Sequence, residues 1–266
     1  MVEPKYPGVV ESYVNLGDCY DKEGLGDVRT EIMACMKGYK DCYRRAYRCL
    51  GASAEISEDL RAILLTQSLE ERMQKRAKGI IKREFKRTGG GAGAVRQRFL
   101  GAMTPDGSIC KFSTANAIAN RVYELADNYG LAHPLLSHLL TGATAAGYDV
   151  IACPSPMAPD RLEHLIIPEL RLAFVTASAA VPYEGHPDRR LRLDAMADRE
   201  LLRRNRPRLR FAKKVAAALV EEAAESLAEA KRMHDDLEAL YNPYVNFNAV
   251  DEVAGRIADE ILSLPA

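Results

Sequence analysis

One stretch constrains the fold more than any other: Arg121 to Val150, RVYELADNYGLAHPLLSHLLTGATAAGYDV. A short apolar run, Val122 to Ala126, reads as a buried strand, and a tight loop with Gly130 follows it. Leu135, Leu136, Leu139 and Leu140 then mark a helix from about Pro134, and a second strand opens at Gly147. A strand, helix and strand in this order require a crossover, which predicts an α/β layer with a partly parallel sheet.

The flanking sequence extends that layer. Phe99 to Met103 and Ser108 to Phe112 flank Thr104-Pro105-Asp106-Gly107, a hairpin turn by its Pro and Gly. Tyr148 to Ala152, Leu165 to Ile167 and Leu172 to Thr176 read as buried strands with little polar alternation. Helical spacing dominates elsewhere: Val28 to Leu50, one or two further helices over Glu55 to Phe85, and a long helix over Phe211 to Tyr241. Asn248 has the character of an N-cap for a last helix. The expected plan is a helical hairpin over 1–88, a glycine-rich linker over 89–96, an α/β core over 97–180 and a second helical hairpin over 181–266.

Charge and cysteine usage narrow the function classes. Lys plus Arg and Asp plus Glu number 37 each, which removes any whole-protein electrostatic argument for nucleic acid or membrane. The longest mostly apolar run, Leu172 to Val181, falls far short of the ~20 residues of a spanning helix. The N-terminus lacks the basic and apolar regions of a signal peptide, and none of the six cysteines forms a CxxC pair, so a cytoplasmic protein is expected. Cys35, Cys42 and Cys49 recur every seven residues. Seven helical residues rise about 10 Å, too far for ligands of one zinc at ~2.3 Å, so these are read as a buried stripe.

Several local patterns allow two readings each. The basic run from Lys75 to Arg87 is a nucleic-acid surface or the solvated face of an amphipathic helix. Arginines at 189, 190, 192, 199, 203, 204, 206, 208 and 210 form a phosphate or nucleic-acid patch, or pair with Glu221, Glu222, Glu225 and Glu229. Gly89, Gly91 and Ala94 satisfy G-x-G-x-x-G/A, but the motif belongs after a strand and at a helix start, and here a basic helix precedes it. His133 and His138 stand five apart rather than four, which argues against one shared metal.

The chain also matches itself. Sliding it by 177 residues (198 minus 21) places Tyr6 on Tyr183, Asp21 on Asp198, Leu50 on Leu227, Leu60 on Leu237 and Ile80 on Ile257. Ala266 lands on Gly89, where the linker opens, and Met1 on Ser178, after the last core strand. This predicts two repeats, each a core followed by a helical hairpin, with the first core missing. Either the gene product is truncated, or residues 1–88 pack against something outside the chain: another copy or a P-loop core partner.

Taken together, Arg98 to Gly107, Gly147-Tyr148-Asp149-Val150, Cys153-Pro154 and His164 to Leu170 (HLIIPEL) resemble an uncharacterised bacterial family of tandem P-loop ATP-binding proteins. The resemblance implies a P-loop NTPase-like core and, for the family, ATP and Mg²⁺. It places the phosphate loop on Ala126, Asp127, Asn128, Tyr129, Gly130, Leu131, Ala132 and His133. The family's first glycine falls on Ala126, its last on Leu131, its lysine on Ala132 and its Ser/Thr on His133, and its acidic strand-end residue falls on Thr176. A working loop needs those glycines for convergent N–H groups, the lysine for charge and the hydroxyl for Mg²⁺. No Lys or Arg lies between Arg121 and Arg161, so a triphosphate would meet net negative charge, and no cofactor is expected in this chain.

Three functions remain open at this point. The first is a diverged P-loop module without ATP hydrolysis, acting as a structural or regulatory part of an ATPase-like protein. In the second, an NTPase or nucleotide kinase has its working P-loop in a missing core or another chain, with Arg203, Arg204 and Arg206 reaching its phosphates. The third is nucleic-acid binding through Arg189 to Arg210.

Overall fold

A computed structural model describes residues 6, 8–9, 11–87, 89 and 91–264. Gly90 of the expected linker and Met1 and Ala266 of the repeat alignment lie outside the described residues. The helices are α1 (Lys22–Asp27), α2 (Arg29–Leu64), α3 (Gln67–Glu84), α4 (Phe112–Ile118), α5 (Ala132–Ala145), α6 (Arg199–Tyr241) and α7 (Phe247–Leu262). The strands are β1 (Val95–Gln97), β2 (Gly101–Thr104), β3 (Gly107–Cys110), β4 (Arg121–Ala126), β5 (Val150–Ser155), β6 (Ala158–Ile167), β7 (Leu172–Ala177) and β8 (Arg189–Arg192). No helix among the described residues is long and apolar enough to cross a membrane.

The chain forms two compact units, Tyr43–Ala228 and Met1–Cys42 with Glu229–Ala266. The first is an α/β unit around a six-stranded mixed sheet, ordered β1-β5-β6-β7-β4-β8. β1 runs parallel to β5, and β4 runs parallel to both β7 and β8. β6 is antiparallel to β5 and β7. Strand residues alternate between two cores. Tyr123, Leu125, Leu165, Phe174 and Val150 face the layer that holds α3 and α5, whereas Val122, Ile166, Ala173, Val175 and Cys153 face α4. Both faces are covered, so the central strands are apolar at nearly every position.

α3 shows how a basic segment belongs to this core. Leu69, Met73, Ala77 and Ile80 form its buried stripe, and Lys75, Arg76, Lys78, Lys82 and Arg83 are exposed on the opposite face. The helix lies close to α5, where a Cβ on Gly142 would meet Ile81 Cδ1 at 2.5 Å. At its end Glu84 accepts from the Tyr123 hydroxyl and pairs with Arg121 at 2.8 Å, which ties α3 to β4.

Several boundaries differ from those read in the sequence. α5 starts at Ala132 instead of Pro134, because Pro tolerates the first turn and Asp127 caps the helix from the preceding loop. α2 runs unbroken through Gly51 for 36 residues and ends before Thr66, whose hydroxyl caps α3. α6 begins at Arg199 and carries Pro207 inside its 43 residues. The cap of α7 is Asn246, which accepts from Ala249 N, not Asn248. Val95 and Arg96, expected in the linker, lie in β1, and the glycine segment is held to α5 by Gly93 N to Thr144 O and to the sheet edge by Val150 N to Ala94 O. β8, inside the arginine-rich segment, and α4 have no counterpart in the sequence reading.

In the second unit, Asp21 N donates to Tyr244 O and Asn246 N to Cys19 O, each at 2.8 Å. Cys35 Sγ meets Met233 O at 3.0 Å, and Cys42 lies 3.9 Å from Met233 Sδ. These cysteines are packing residues, and all six in the chain are free. Element ends recur at the 177-residue spacing: α2 ends at Leu64 and α6 at Tyr241. Asp21 accepts from Glu23 N and Gly24 N, and Asp198 accepts from Glu200 N and Leu201 N in the same pattern.

Candidate functional site

β4 and β7 end side by side, and the loop from Asp127 to Leu131 turns from β4 into α5 at the edge of a cleft of about 600 Å³. The loop's left-handed residue is Gly130, at φ 71°, while Leu131 is an ordinary right-handed residue at φ −90°. The loop's positive-φ residue thus stands one position before Leu131, where the resemblance sets a glycine.

The loop encloses a side chain of its own. Asp127, 4% exposed, accepts from Tyr129 N at 3.0 Å through Oδ1 and from Ala132 N at 2.8 Å through Oδ2, and Leu131 N donates to the same carboxyl. Burial pushes this carboxyl above the ordinary aspartate range, against the opposite pull of the three N–H groups. Convergent backbone N–H groups at a helix start are the feature with which a phosphate loop holds its anion. Here they are taken by Asp127. Ala132 and His133 stand where the resemblance would put a lysine and a hydroxyl, so the loop itself offers a phosphate no cationic side chain.

Neighbouring groups fix the loop. Asn128 donates to Asp194 from its backbone N at 3.0 Å and from Nδ2 at 2.7 Å, and its Oδ1 accepts from Ala179 N. The Lys213 ammonium sits 3.7 Å above the Tyr129 ring, and desolvation lowers its pKa. His133 Nδ1 accepts from Leu162 N at 2.9 Å, so the neutral ring carries its proton on Nε2. Burial lowers the His133 pKa as well, the nearby Arg161 acting in the same direction.

The charge of this cleft differs from that of its central segment. Arg61 comes from α2, Arg161 from β6 and Lys213 from α6, and all three line the cleft beside the loop. The negative field inferred from residues 121–161 is corrected by cations that are distant in sequence. Arg61 bonds Glu58 Oε2 through Nε at 3.0 Å, and Arg161 Nη1 approaches the same oxygen at 3.6 Å. Glu163 of β6 also lines the cleft, beside Thr176. Thr176 Oγ1 donates to the Glu163 carbonyl, which sets this carboxylate-bearing residue next to Thr176. Desolvation pushes the Glu163 carboxyl upward.

A cysteine and a histidine meet on the same wall. Cys110 Sγ lies 3.6 Å from His164 Nε2. His164 is 2% exposed, and its Nδ1 accepts from Thr176 N at 3.1 Å. Burial holds its pKa down to about 3 and pushes Cys110 up to about 12 and Cys153 up to about 11. A neutral imidazole beside a neutral thiol has neither the thiolate nor the positive partner of a nucleophilic pair.

No protein-family model, curated protein or solved structure matches the chain.

The structure brings Asp127, Asn128, Tyr129, Gly130, Ala132 and His133 onto the cleft, while Ala126 ends β4 and Leu131 is buried. His138 does not line it. Arg203, Arg204 and Arg206 are exposed on α6 and do not line it either. Arg204 pairs with Glu200 at 3.1 Å, and in β8 Arg190 pairs with Glu124 at 3.1 Å. A cluster of possible metal ligands among the described residues, His234, Asp235 and Glu238, is exposed on one turn of α6. Sequence reading missed Arg61, Lys213 and Glu163, for which no local pattern exists. The role of Asp127 did have a signal: an aspartate ending an apolar strand just ahead of a helix start.

Proposed function

We propose that the chain is a diverged P-loop-type module that does not hydrolyse nucleotide and serves as a structural or regulatory part of an ATPase-like protein. The observation that supports this most directly is the Asp127 carboxylate within the loop's own N–H groups. An internal anion there competes with any external phosphate, and no lysine from the loop offsets it. The recurrence of capping and helix ends at 177 residues supports descent from a tandem arrangement, with the helical hairpins as the working surfaces.

The test is a titration with labelled ATP and Mg²⁺ on the full chain and on Asp127→Ala. No micromolar binding is expected for the wild type. In the variant the vacated N–H groups should accept inorganic phosphate, seen as a rise in melting temperature larger than the wild type shows. Tight Mg²⁺-dependent ATP binding by the wild type would overturn the proposal.

A second reading has one observation in its favour. Arg203 and Arg206 are exposed and have no ion pair among the described residues, which suits contact with phosphates held by another chain. Binding of this kind should weaken steeply with salt and be lost when Arg203, Arg204 and Arg206 are replaced together.

A further inference from the structure

We propose that the cleft beside the filled loop is a binding site for a short aliphatic carboxylate. The inference rests on the reading that Asp127 occupies the phosphate position, since that leaves the cleft's own cations for a different anion.

Two guanidinium groups share one carboxylate oxygen. Arg61 and Arg161 both approach Glu58 Oε2, and their side chains are only 11% and 16% exposed, whereas Glu58 is 54% exposed at the rim. The contacts of Arg161 are long, 3.6 Å to Glu58 and 3.4 Å to Gly130 O. A guanidinium has five N–H donors arranged to grip a carboxylate through two parallel bonds. Arg161 therefore keeps donors for an anion arriving in the cleft, whose charged lining is Arg61, Arg161 and Lys213 against Asp127 and Glu163, one positive charge in excess. Single positive excess suits a monoanion better than a polyphosphate.

The rest of the wall selects the body of the ligand. Met103, Ile109, Met157, Val181 and Val220 line it. Methionines adapt to flexible apolar chains. Among the described residues no Phe lines the cleft, and one face of Tyr129 is covered by Lys213, so a planar base finds little aromatic platform there. The volume of about 600 Å³ lies within the range of small-molecule sites.

The experiment is calorimetric titration of the full chain with octanoate, with neutral octanamide, and with MgATP. Octanoate should bind at least tenfold more tightly than octanamide, and Arg161→Gln should lose at least tenfold in octanoate affinity. Ala216→Leu, which shortens the apolar part of the cleft, should weaken octanoate at least fivefold more than butanoate. It decides the matter if circular dichroism shows Arg161→Gln misfolded. Equal binding of octanoate and octanamide, no octanoate binding, or insensitivity to these substitutions overturns this inference alone. Micromolar MgATP binding that leaves octanoate bound overturns the non-nucleotide proposal alone, and MgATP that displaces octanoate overturns both.

Discussion

Asp127 and His164 are the residues at which burial and hydrogen bonding are most at odds with free ionisation. Asp127 satisfies three backbone N–H groups at a buried helix start. Asp127→Ala should cost about 2–4 kcal/mol, because buried donors lose their acceptor, and Asp127→Asn should cost less by keeping one carbonyl oxygen. Urea midpoints at constant m-value check this, and a neutral alanine variant would mean that water or loop rearrangement replaces the carboxylate. His164 acts in the opposite direction with pH. Its pKa is held down to about 3 by burial, against about 6.5 when unfolded. Above the unfolded value both states are neutral and no effect arises. As pH falls below 6.5 the unfolded chain takes up a proton that the native one refuses, so stability drops by up to about 1.4 kcal/mol per pH unit until the folded pKa is reached. Burial also raises the Asp127 and Glu163 carboxyls, so the quantity to measure is the difference between wild type and His164→Gln. The wild-type curve should fall more steeply from pH 6.5 to 4; parallel curves would show that His164 is protonated in the native state.

Among the elements, those with a strong period were legible and those held by distant partners were not. Leu135, Leu136 and Leu139 predicted α5, and the apolar runs predicted β4 and β7, because a helix or strand buried along its length writes its period into the chain. β8 was hidden. Its four residues include three arginines, and it is a strand only because β4 offers it an open parallel edge. Charged side chains also suit an edge strand, since they oppose further pairing. β1 was hidden for another reason, the glycine run before it. Gly93 is required there by contact and not by flexibility. A Cβ at that position would stand 1.9 Å from the Tyr148 carbonyl oxygen. Gly93→Ala should therefore separate β1 from β5 and cost about 1–3 kcal/mol. Thermal melting together with faster exchange of Arg98 N, which donates to Ala152 O, reads out both effects. An unchanged melt would mean that the segment moves aside freely.

At the scale of the whole molecule, the cleft was illegible because its cations come from α2, β6 and α6, and only the fold brings Arg61, Arg161 and Lys213 to one loop. The same fold makes the distribution of stability predictable. β4, β6 and β7 are hydrogen-bonded on both sides and covered on both faces, so their amides open only with large-scale unfolding. α7 has no fully buried residue, and Phe247, Ile261 and Leu262 along it are exposed, so little apolar contact opposes its fraying. Native-state hydrogen exchange by mass spectrometry should show peptides from residues 121–126 and 163–177 exchanging slowest. Peptides from 247–262 should exchange faster by at least two orders of magnitude, with β1 and β8 between them. Addition of octanoate should slow exchange in the 127–133 loop and around Arg161 without altering α7. If α7 proves as protected as β7 in the free protein, its apolar face must be covered in solution by another copy of the chain. Dilution would then accelerate its exchange.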